Sequence, residues 1–111
     1  MIQLEDSAIS DGLRRVLGQI VDRFRPRMVI LFGSHARGEA TPDSDVDLLV
    51  VMDAVENPLR MAANISASVA HPFPLDILVI RSDQLEASAG RNGVFATEIL
   101  TQGRVLYEAG D

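Results

Sequence analysis

Three short apolar runs constrain the fold of this chain more than any other feature. Met28–Phe32 ends at Gly33, Val46–Met52 follows a polar turn, and Leu75–Ile80 follows a proline-rich segment. Apolar runs of this length, bounded by glycine or turn residues, are typical of strands in the interior of a sheet. We therefore predict three neighbouring strands of one sheet, joined by segments long enough to hold helices.

The segments around these runs have the residue spacing of helices. Apolar residues recur at intervals of three and four near the N-terminus, at Ile9, Leu13, Val16, Leu17, Ile20, Val21 and Phe24. They predict an amphipathic helix that ends before Pro26. Asn57 and Pro58 are typical of an N-cap and a first helical residue. They predict a helix from Leu59 to about Ala70, which we expect to be mostly buried because it is rich in alanine.

Towards the C-terminus, the pattern predicts two further helices and a last strand. The helices run from Ser82 to about Ala89 and over Val94–Thr101, and the strand is Arg104–Tyr107. With a short helix after the first strand, the order is α-β-α-β-α-β-α-α-β. We expect one α+β (α/β) domain over residues 1–111, in which helices flank a mixed sheet of four strands.

The composition excludes several classes of function. The chain has 111 residues, no cysteine and a net charge of −6, and all 10 of its basic residues are arginine. The acidic balance argues against direct binding of nucleic acid, and the absence of lysine excludes a P-loop lysine. No apolar run is long enough to span a bilayer and no signal peptide is visible, so we expect no membrane association. The lack of cysteine fits a cytoplasmic protein.

Three aspartates are predicted to meet at one end of the sheet. Residues two apart on a strand share a face, so Asp45 and Asp47 project together at the beginning of the second strand. Asp76 lies at the beginning of the third strand. Parallel pairing of these two strands, with a helical crossover through residues 53–73, brings the three carboxyl groups together.

Such a cluster calls for a cation, because close carboxylates repel one another unless their charge is neutralised. Oxygen ligands suit Mg²⁺ or Mn²⁺. An antiparallel first strand would bring Gly33 and Ser34 to the same end, where backbone N–H groups and a hydroxyl can meet phosphate oxygens. The residues therefore indicate a site for a nucleoside triphosphate and a divalent cation.

The same residues resemble the signature of a known family. The matching segments are Gly33-Ser34, Ala36-Arg37-Gly38, Ser44-Asp45-Val46-Asp47-Leu48 and Asp76. They resemble the nucleotidyltransferase signature of the DNA polymerase β superfamily, and the short chain is similar to the minimal nucleotidyltransferases. The resemblance implies the nucleotidyltransferase fold, Mg²⁺ as cofactor and transfer of a nucleotide, with ATP as the expected donor.

The resemblance also implies roles for individual residues. Gly33 and Ser34 would contact the β- and γ-phosphates of the nucleotide. Asp45 and Asp47 would bind the metal ions. Asp76 would bind the catalytic metal and act as the general base, or support it.

Arg37 and Ser44 complete the implied nucleotide-binding set. Arg37 has two interpretations, since it either stabilises phosphates or braces its loop through an ion pair with a neighbouring carboxylate. We favour bracing. Ser44 followed by Asp45 is also typical of an ordinary turn.

The resemblance finally implies a class of partner. Proteins of this minimal type are often antitoxins paired with a HEPN ribonuclease toxin, and some place AMP on a toxin tyrosine. We therefore expect an adenylyltransferase that modifies a hydroxyl of a HEPN-type toxin within a hetero-oligomer. Two alternatives stay open, a non-catalytic antitoxin that neutralises the toxin by binding, and a small-molecule nucleotidyltransferase with a separate acceptor-binding subunit.

Each site residue also has an ordinary structural interpretation. Gly33-Ser34 is consistent with a strand-to-helix turn closed by a capping serine. Asp76 is consistent with a core acid paired with an arginine such as Arg37 or Arg81. We expect His35, at a variable position of the signature, to face solvent.

Overall fold

The computed structural model describes residues 8–39, 44–89, 99 and 101–110. In chain order its elements are α1 (Ala8–Phe24), β1 (Met28–Phe32), α2 (Ser34–Arg37), β2 (Val46–Met52), α3 (Pro58–Ser68), β3 (Leu75–Arg81), α4 (Ser82–Ala89) and β4 (Arg104–Glu108). The predicted strands are confirmed to within one residue at each end. The predicted helix Val94–Thr101 lies largely outside the described residues. None of the helices within the described ranges combines the length and the apolar content that crossing a bilayer requires.

The strands form one mixed sheet in the order β3-β2-β1-β4. β1 is antiparallel to both β2 and β4, whereas β2 and β3 are parallel. The parallel pair is joined by α3, because parallel neighbours need a crossover rather than a hairpin. The predicted mixed sheet of four strands flanked by helices is confirmed.

Both faces of the sheet are buried at its central strands. One face packs against α1 and α3 through Leu17, Ile20, Val29, Leu48, Val50 and Ile65. The opposite face is buried through Ile30, Leu49, Val51 and Ile99. Since successive side chains of a strand point to opposite faces, a strand covered on both sides must be apolar at nearly every position. Asp47 is the only polar residue of β2, so its position calls for an explanation.

The N-terminal end of α3 agrees with the prediction, but the burial of this helix does not. Asn57 Oδ1 accepts a hydrogen bond from the N–H group of Arg60 at 3.0 Å, as an N-cap should. The expectation that α3 is mostly buried is wrong, since Leu59 is 83% exposed. Only Ala62 and Ile65 are buried along the helix. The cause is that α3 lies on one face of the sheet, so a single stripe of its surface meets the core.

Candidate active site

Asp47 and Asp76 lie side by side at one end of the sheet. The parallel register of β2 and β3 places Asp47 opposite Asp76. Residues that are opposite each other on neighbouring strands direct their side chains to the same face of the sheet. The two carboxyl groups are therefore neighbours, as the predicted parallel pairing required.

Gly33, the residue after β1, lies directly against Asp47. The antiparallel register of β1 and β2 places Phe32 opposite Asp47. Gly33 has a φ of 76° and a ψ of −157°, a backbone conformation that is essentially restricted to glycine. An added Cβ at this position would collide with Oδ2 of Asp47. Glycine at position 33 therefore provides the space that the Asp47 carboxylate occupies.

The pKa of Asp47 is shifted by the other charged residues at this end of the sheet. Burial raises the pKa of Asp47 above its ordinary value, and the carboxylates of Asp76 and then Asp45 raise this pKa further. His35 and Arg37 act in the opposite direction. Asp47 is half-buried, whereas Asp45 and Asp76 are exposed. Negative charge is thus concentrated around a carboxylate that is partly removed from water, and a bound cation would relieve the repulsion.

The donors available to a metal ion here are carboxylate oxygens, which suit hard divalent cations. Within the described ranges, no three Asp, Glu, His or Cys side chains are gathered closely enough to hold a metal ion. Asp47 and Asp76 form an adjacent pair, and Asp45 is close enough to raise the pKa of Asp47. The donor chemistry fits Mg²⁺ or Mn²⁺, and a third ligand would require the exposed Asp45 side chain to turn towards the pair.

The Gly-Ser turn leads into α2, which is a single helical turn. The carbonyl oxygen of Gly33 accepts hydrogen bonds from the N–H groups of Ala36, at 3.1 Å, and Arg37, at 3.2 Å. These bonds make Gly33 the N-cap and Ser34 the first helical residue. The interpretation of Ser34 as a capping serine is therefore wrong, because the helix begins one residue earlier than that role requires.

Arg37 braces the segment that follows α2. Its Nε lies 3.3 Å from Oε2 of Glu39. This ion pair agrees with the bracing interpretation, and contact with phosphates stays a prediction. Arg37 also lowers the pKa of Asp47, so its positive charge reaches the site as well.

His35 contacts the loop on the other side of the site instead of facing solvent. The expectation that it faces solvent is wrong, because its ring is half-buried and Nε2 lies 3.2 Å from the carbonyl oxygen of Ser44. A carbonyl oxygen only accepts hydrogen bonds, so Nε2 must carry the hydrogen. His35 thereby connects α2 to the residue that precedes Asp45. The only available signal was that a histidine followed the Gly-Ser turn, and its partner lies nine residues away.

Asp76 is not the core acid that the structural alternative describes. Its side chain is exposed, and β3 is the outermost strand on its side of the sheet among the described residues. Nε of Arg81, one of the two arginines considered as its partner, lies 3.2 Å from Oδ1 of Asp83. Nε of Arg37, the other, lies 3.3 Å from Oε2 of Glu39.

An open groove beside α3 lies away from these residues. It is lined by Ala54, Val55, Glu56, Asn57, Arg60, Met61, Ala63 and Asn64. Those residues follow the C-terminal end of β2, whereas Asp47 lies near the beginning of the same strand. The groove is therefore not part of the carboxylate site.

Comparison with known proteins identifies the family. The model of the nucleotidyltransferase domain matches residues 13–96. A Methanocaldococcus jannaschii protein, named as a candidate protein adenylyltransferase, is 32% identical over 103 residues, which cover 93% of this chain and 98% of that protein. The protein adenylyltransferase MntA of Thermococcus cleftensis is 43% identical over 42 residues, or 38% of this chain and 42% of MntA.

A solved structure has a similar fold. It is a toxin–antitoxin structure determined with AMP-PNP, and one of its chains gives a TM-score of 0.59 at 20% identity, covering 86% of this chain and 73% of that one. The fold and the match to the domain model agree with the geometry described above. The chain belongs to the nucleotidyltransferase domain family and is a nucleotidyltransferase.

Proposed function

We propose that this chain transfers AMP from ATP to a hydroxyl group of a partner protein, and that it acts as the antitoxin of a HEPN-type toxin. The observation that carries the proposal is the arrangement at one end of the sheet. Gly33 lies directly against the carboxylate of Asp47, and Asp47 lies opposite Asp76 on the neighbouring strand. The proposed phosphate-binding turn and the proposed cation site are thereby adjacent, as transfer of a nucleotide requires.

The aspartates would hold Mg²⁺ or Mn²⁺ with the bound nucleotide. Asp45, Asp47 and Asp76 are the proposed ligands. Repulsion from Asp76 and Asp45 contributes to the raised pKa of Asp47, and a bound cation would relieve that repulsion. When bound, the cation would neutralise charge on the phosphate oxygens. Asp76 is exposed, so an incoming hydroxyl can reach its carboxylate.

The Gly-Ser turn would position the triphosphate. The backbone N–H groups of Gly33 and Ser34 and the Ser34 hydroxyl are the proposed donors to the β- and γ-phosphates, with Ser44 as a further nucleotide contact. Arg37 would add positive charge near the triphosphate, and its ion pair with Glu39 would also brace the loop. Binding of this kind contributes to rate by holding the reacting groups in place.

The reaction is a substitution at the α-phosphorus. The acceptor oxygen forms a bond to this phosphorus while the bond to the oxygen that bridges to the β-phosphate breaks, and pyrophosphate leaves. The hydroxyl proton passes to the Asp76 carboxylate or to water beside it. The charge that develops on the phosphate oxygens then lies between the proposed cation site and the Gly-Ser turn.

The names of two of the compared proteins support a protein as the acceptor of AMP. They are named protein adenylyltransferases, and the one from Methanocaldococcus jannaschii aligns along nearly the whole chain. The structure determined with AMP-PNP is a toxin–antitoxin structure, which supports an ATP-like donor and a toxin as partner. A net charge of −6 would also complement a basic nuclease.

The test is transfer of AMP to a HEPN-type toxin that is expressed together with this chain. Mass spectrometry should detect one or more AMP groups on the toxin when ATP and Mg²⁺ are present. Asp47→Asn removes the charge with little change in shape and should abolish the modification, whereas Asp11→Asn, at an exposed position on α1, should not. Equal modification by the Asp47→Asn protein would contradict the proposal.

A second function is favoured by one observation. Leu59 is 83% exposed on α3, and the helix presents few charges around it, so a partner could cover this surface. In that case the antitoxin would neutralise the toxin by binding alone. A protein that carries both Asp45→Asn and Asp47→Asn separates the two functions, because full rescue of toxin-expressing cells by it would favour binding.

A further inference from the structure

The groups of the candidate site follow one another across the sheet. Gly33 follows β1, Asp47 lies on β2 and Asp76 lies on β3, and these strands are neighbours in the order β3-β2-β1. Within the described residues, no strand lies beyond β3 on that side. Asp76 is therefore the last site residue before an open edge of the sheet.

The direction of the acceptor follows from this order. In phosphoryl transfer, the attacking and leaving oxygens lie roughly in line on opposite sides of the phosphorus. If Gly33 and Ser34 hold the β- and γ-phosphates, pyrophosphate departs towards β1. The hydroxyl must then approach from the opposite side, past Asp76 and the outer edge of β3.

We propose that the acceptor segment of the partner protein pairs with the outer edge of β3 as an additional strand, with its hydroxyl beside Asp76. This inference rests on the proposed function, and it adds where and how the acceptor polypeptide binds. Addition of a strand to a sheet edge gives affinity through main-chain hydrogen bonds.

The hydrogen-bond pattern of β3 provides the groups for such pairing. The N–H group of Val46 donates to the carbonyl oxygen of Pro74 at 2.9 Å. This bond fixes which residues of β3 form hydrogen bonds with β2. Alternate residues of a parallel strand direct their backbone groups to the same neighbour. Asp76 and Leu78 therefore bond to β2, while Ile77 and Val79 direct their N–H and C=O groups outward.

One contact agrees with this alternation. Arg81 continues the outward series, and its N–H group donates to Oε1 of Gln84 at 3.3 Å rather than to β2. For Ile77 and Val79, the described part of the chain provides no strand on the outer side. An extended segment is the one kind of partner that satisfies donors and acceptors repeated at every second residue.

The middle of β3 leaves this edge unprotected. Exposed edges are normally blocked by charged side chains, especially lysine, by proline or by a bulge. Between Asp76 and Arg81, β3 contains only isoleucine, leucine and valine, and its register with β2 is continuous over seven residues. Leu78 is 37% exposed. Such an edge would favour aggregation unless another strand regularly covers it.

A second copy of this chain is the other strand that could bind here. It would place its own β3 beside Asp76 and occupy the side from which the hydroxyl must attack. Pairing between copies would therefore inhibit transfer, so the structure favours the acceptor protein as the occupant.

Val79→Pro tests the pairing, with Val79→Ala as its matched control. The Val79 N–H points outward, so proline removes a donor at the edge without removing a hydrogen bond to β2, and proline is tolerated on edge strands. Both variants replace valine by a smaller residue, and only the alanine variant keeps the donor. We expect the KM for the toxin in AMP transfer to rise about tenfold in the proline variant relative to the alanine variant, as loss of one main-chain hydrogen bond predicts. The KM for ATP should be equal in the two.

Hydrogen exchange supplies a second measurement on the unaltered chain. The N–H groups of Ile77 and Val79 should exchange about tenfold more slowly, or more slowly still, when the toxin is bound. Equal KM values for the toxin in the two variants, or unchanged exchange in the complex, would overturn the inference while leaving the proposed function intact. Absence of AMP transfer by the unaltered chain would instead overturn the proposed function. A dimer of the isolated chain that Val79→Pro dissociates would identify a second copy as the occupant and overturn the inference.

Discussion

Gly33 lies so close to Asp47 that any side chain at position 33 would collide with Oδ2 of the Asp47 carboxylate. Gly33→Ala should therefore displace that carboxylate and strain a backbone that has a φ of 76°. We expect loss of nucleotide transfer and a decrease in the free energy of unfolding of about 1–3 kcal/mol. Transfer assays and urea unfolding measure the two effects.

Gly38→Ala is the matched control for that prediction. Gly38 also has a positive φ, at 74°, but an added Cβ there would meet no atom within 4 Å. Its substitution imposes left-handed strain without the collision, at a cost of about 1 kcal/mol. Activity retained in Gly38→Ala and lost in Gly33→Ala would assign the loss to the displaced Asp47. Comparable activity in both variants would contradict the assignment.

Asp47 should make the metal-free protein less stable as the pH rises. Its pKa is raised in the folded state, from the ordinary value of 3.8, by burial and by Asp76 and Asp45. The folded state therefore binds more protons than the unfolded state between the two pKa values, so the free energy of unfolding falls through this pH range. Asp47→Asn lacks this contribution, and its stability relative to the unaltered protein should increase as the pH is raised above 3.8. Urea unfolding without metal, at a series of pH values, tests this, and a difference that does not change with pH would count against it.

Mg²⁺ should stabilise the folded chain through the same carboxylates. A ligand that binds only the folded state raises its stability by mass action, by about 2.7 kcal/mol at one hundred times its Kd. Thermal unfolding with ATP should show a higher Tm with Mg²⁺ than with EDTA. Asp47→Asn should reduce that difference, whereas Asp11→Asn should preserve it. An equal rise in Tm for all three proteins would locate the cation elsewhere.

His35 should act on catalysis by holding the residue before Asp45. Its Nε2–H group donates to the carbonyl oxygen of Ser44 at 3.2 Å. His35→Phe keeps a ring but loses the donor, and we expect up to about tenfold weaker binding of ATP with Mg²⁺. His35→Gln retains a donor and should recover part of that affinity. Calorimetric titration of the three proteins tests the role, and equal affinities for His35→Phe and the unaltered chain would exclude it.

The sequence was sufficient to predict that Asp47 and Asp76 lie side by side, because the apolar runs mark the strands on which they lie. The segment between the second and third apolar runs is long enough for a helical crossover, so parallel pairing of these strands was possible, and this register brings Asp47 opposite Asp76. The spacing of Asp45 and Asp47 placed both at the beginning of one strand. These features depend on local pattern and chain length alone.

Other features depended on strand order and loop shape, which the pattern does not encode. Asp76 lies on the outermost strand on its side of the described sheet, and sequence alone did not say which strand would be outermost. The contact between His35 and Ser44 joins residues on either side of a loop. The alanine content of α3 likewise gave no indication of which side of the helix would meet the sheet, so the exposure of Leu59 was missed.

Substitution of Leu59 distinguishes silencing of the toxin by AMP transfer from silencing of the toxin by binding. The side chain is 83% exposed, so Leu59→Asp should change the free energy of unfolding by less than about 0.5 kcal/mol. If the toxin is silenced by AMP transfer, cells that express the toxin with Leu59→Asp should grow as they do with the unaltered chain. The protein with both Asp45→Asn and Asp47→Asn should fail to rescue them. The reverse pattern, in which the double variant rescues and Leu59→Asp does not, would indicate that α3 covers the toxin and that the carboxylate site is dispensable for neutralisation.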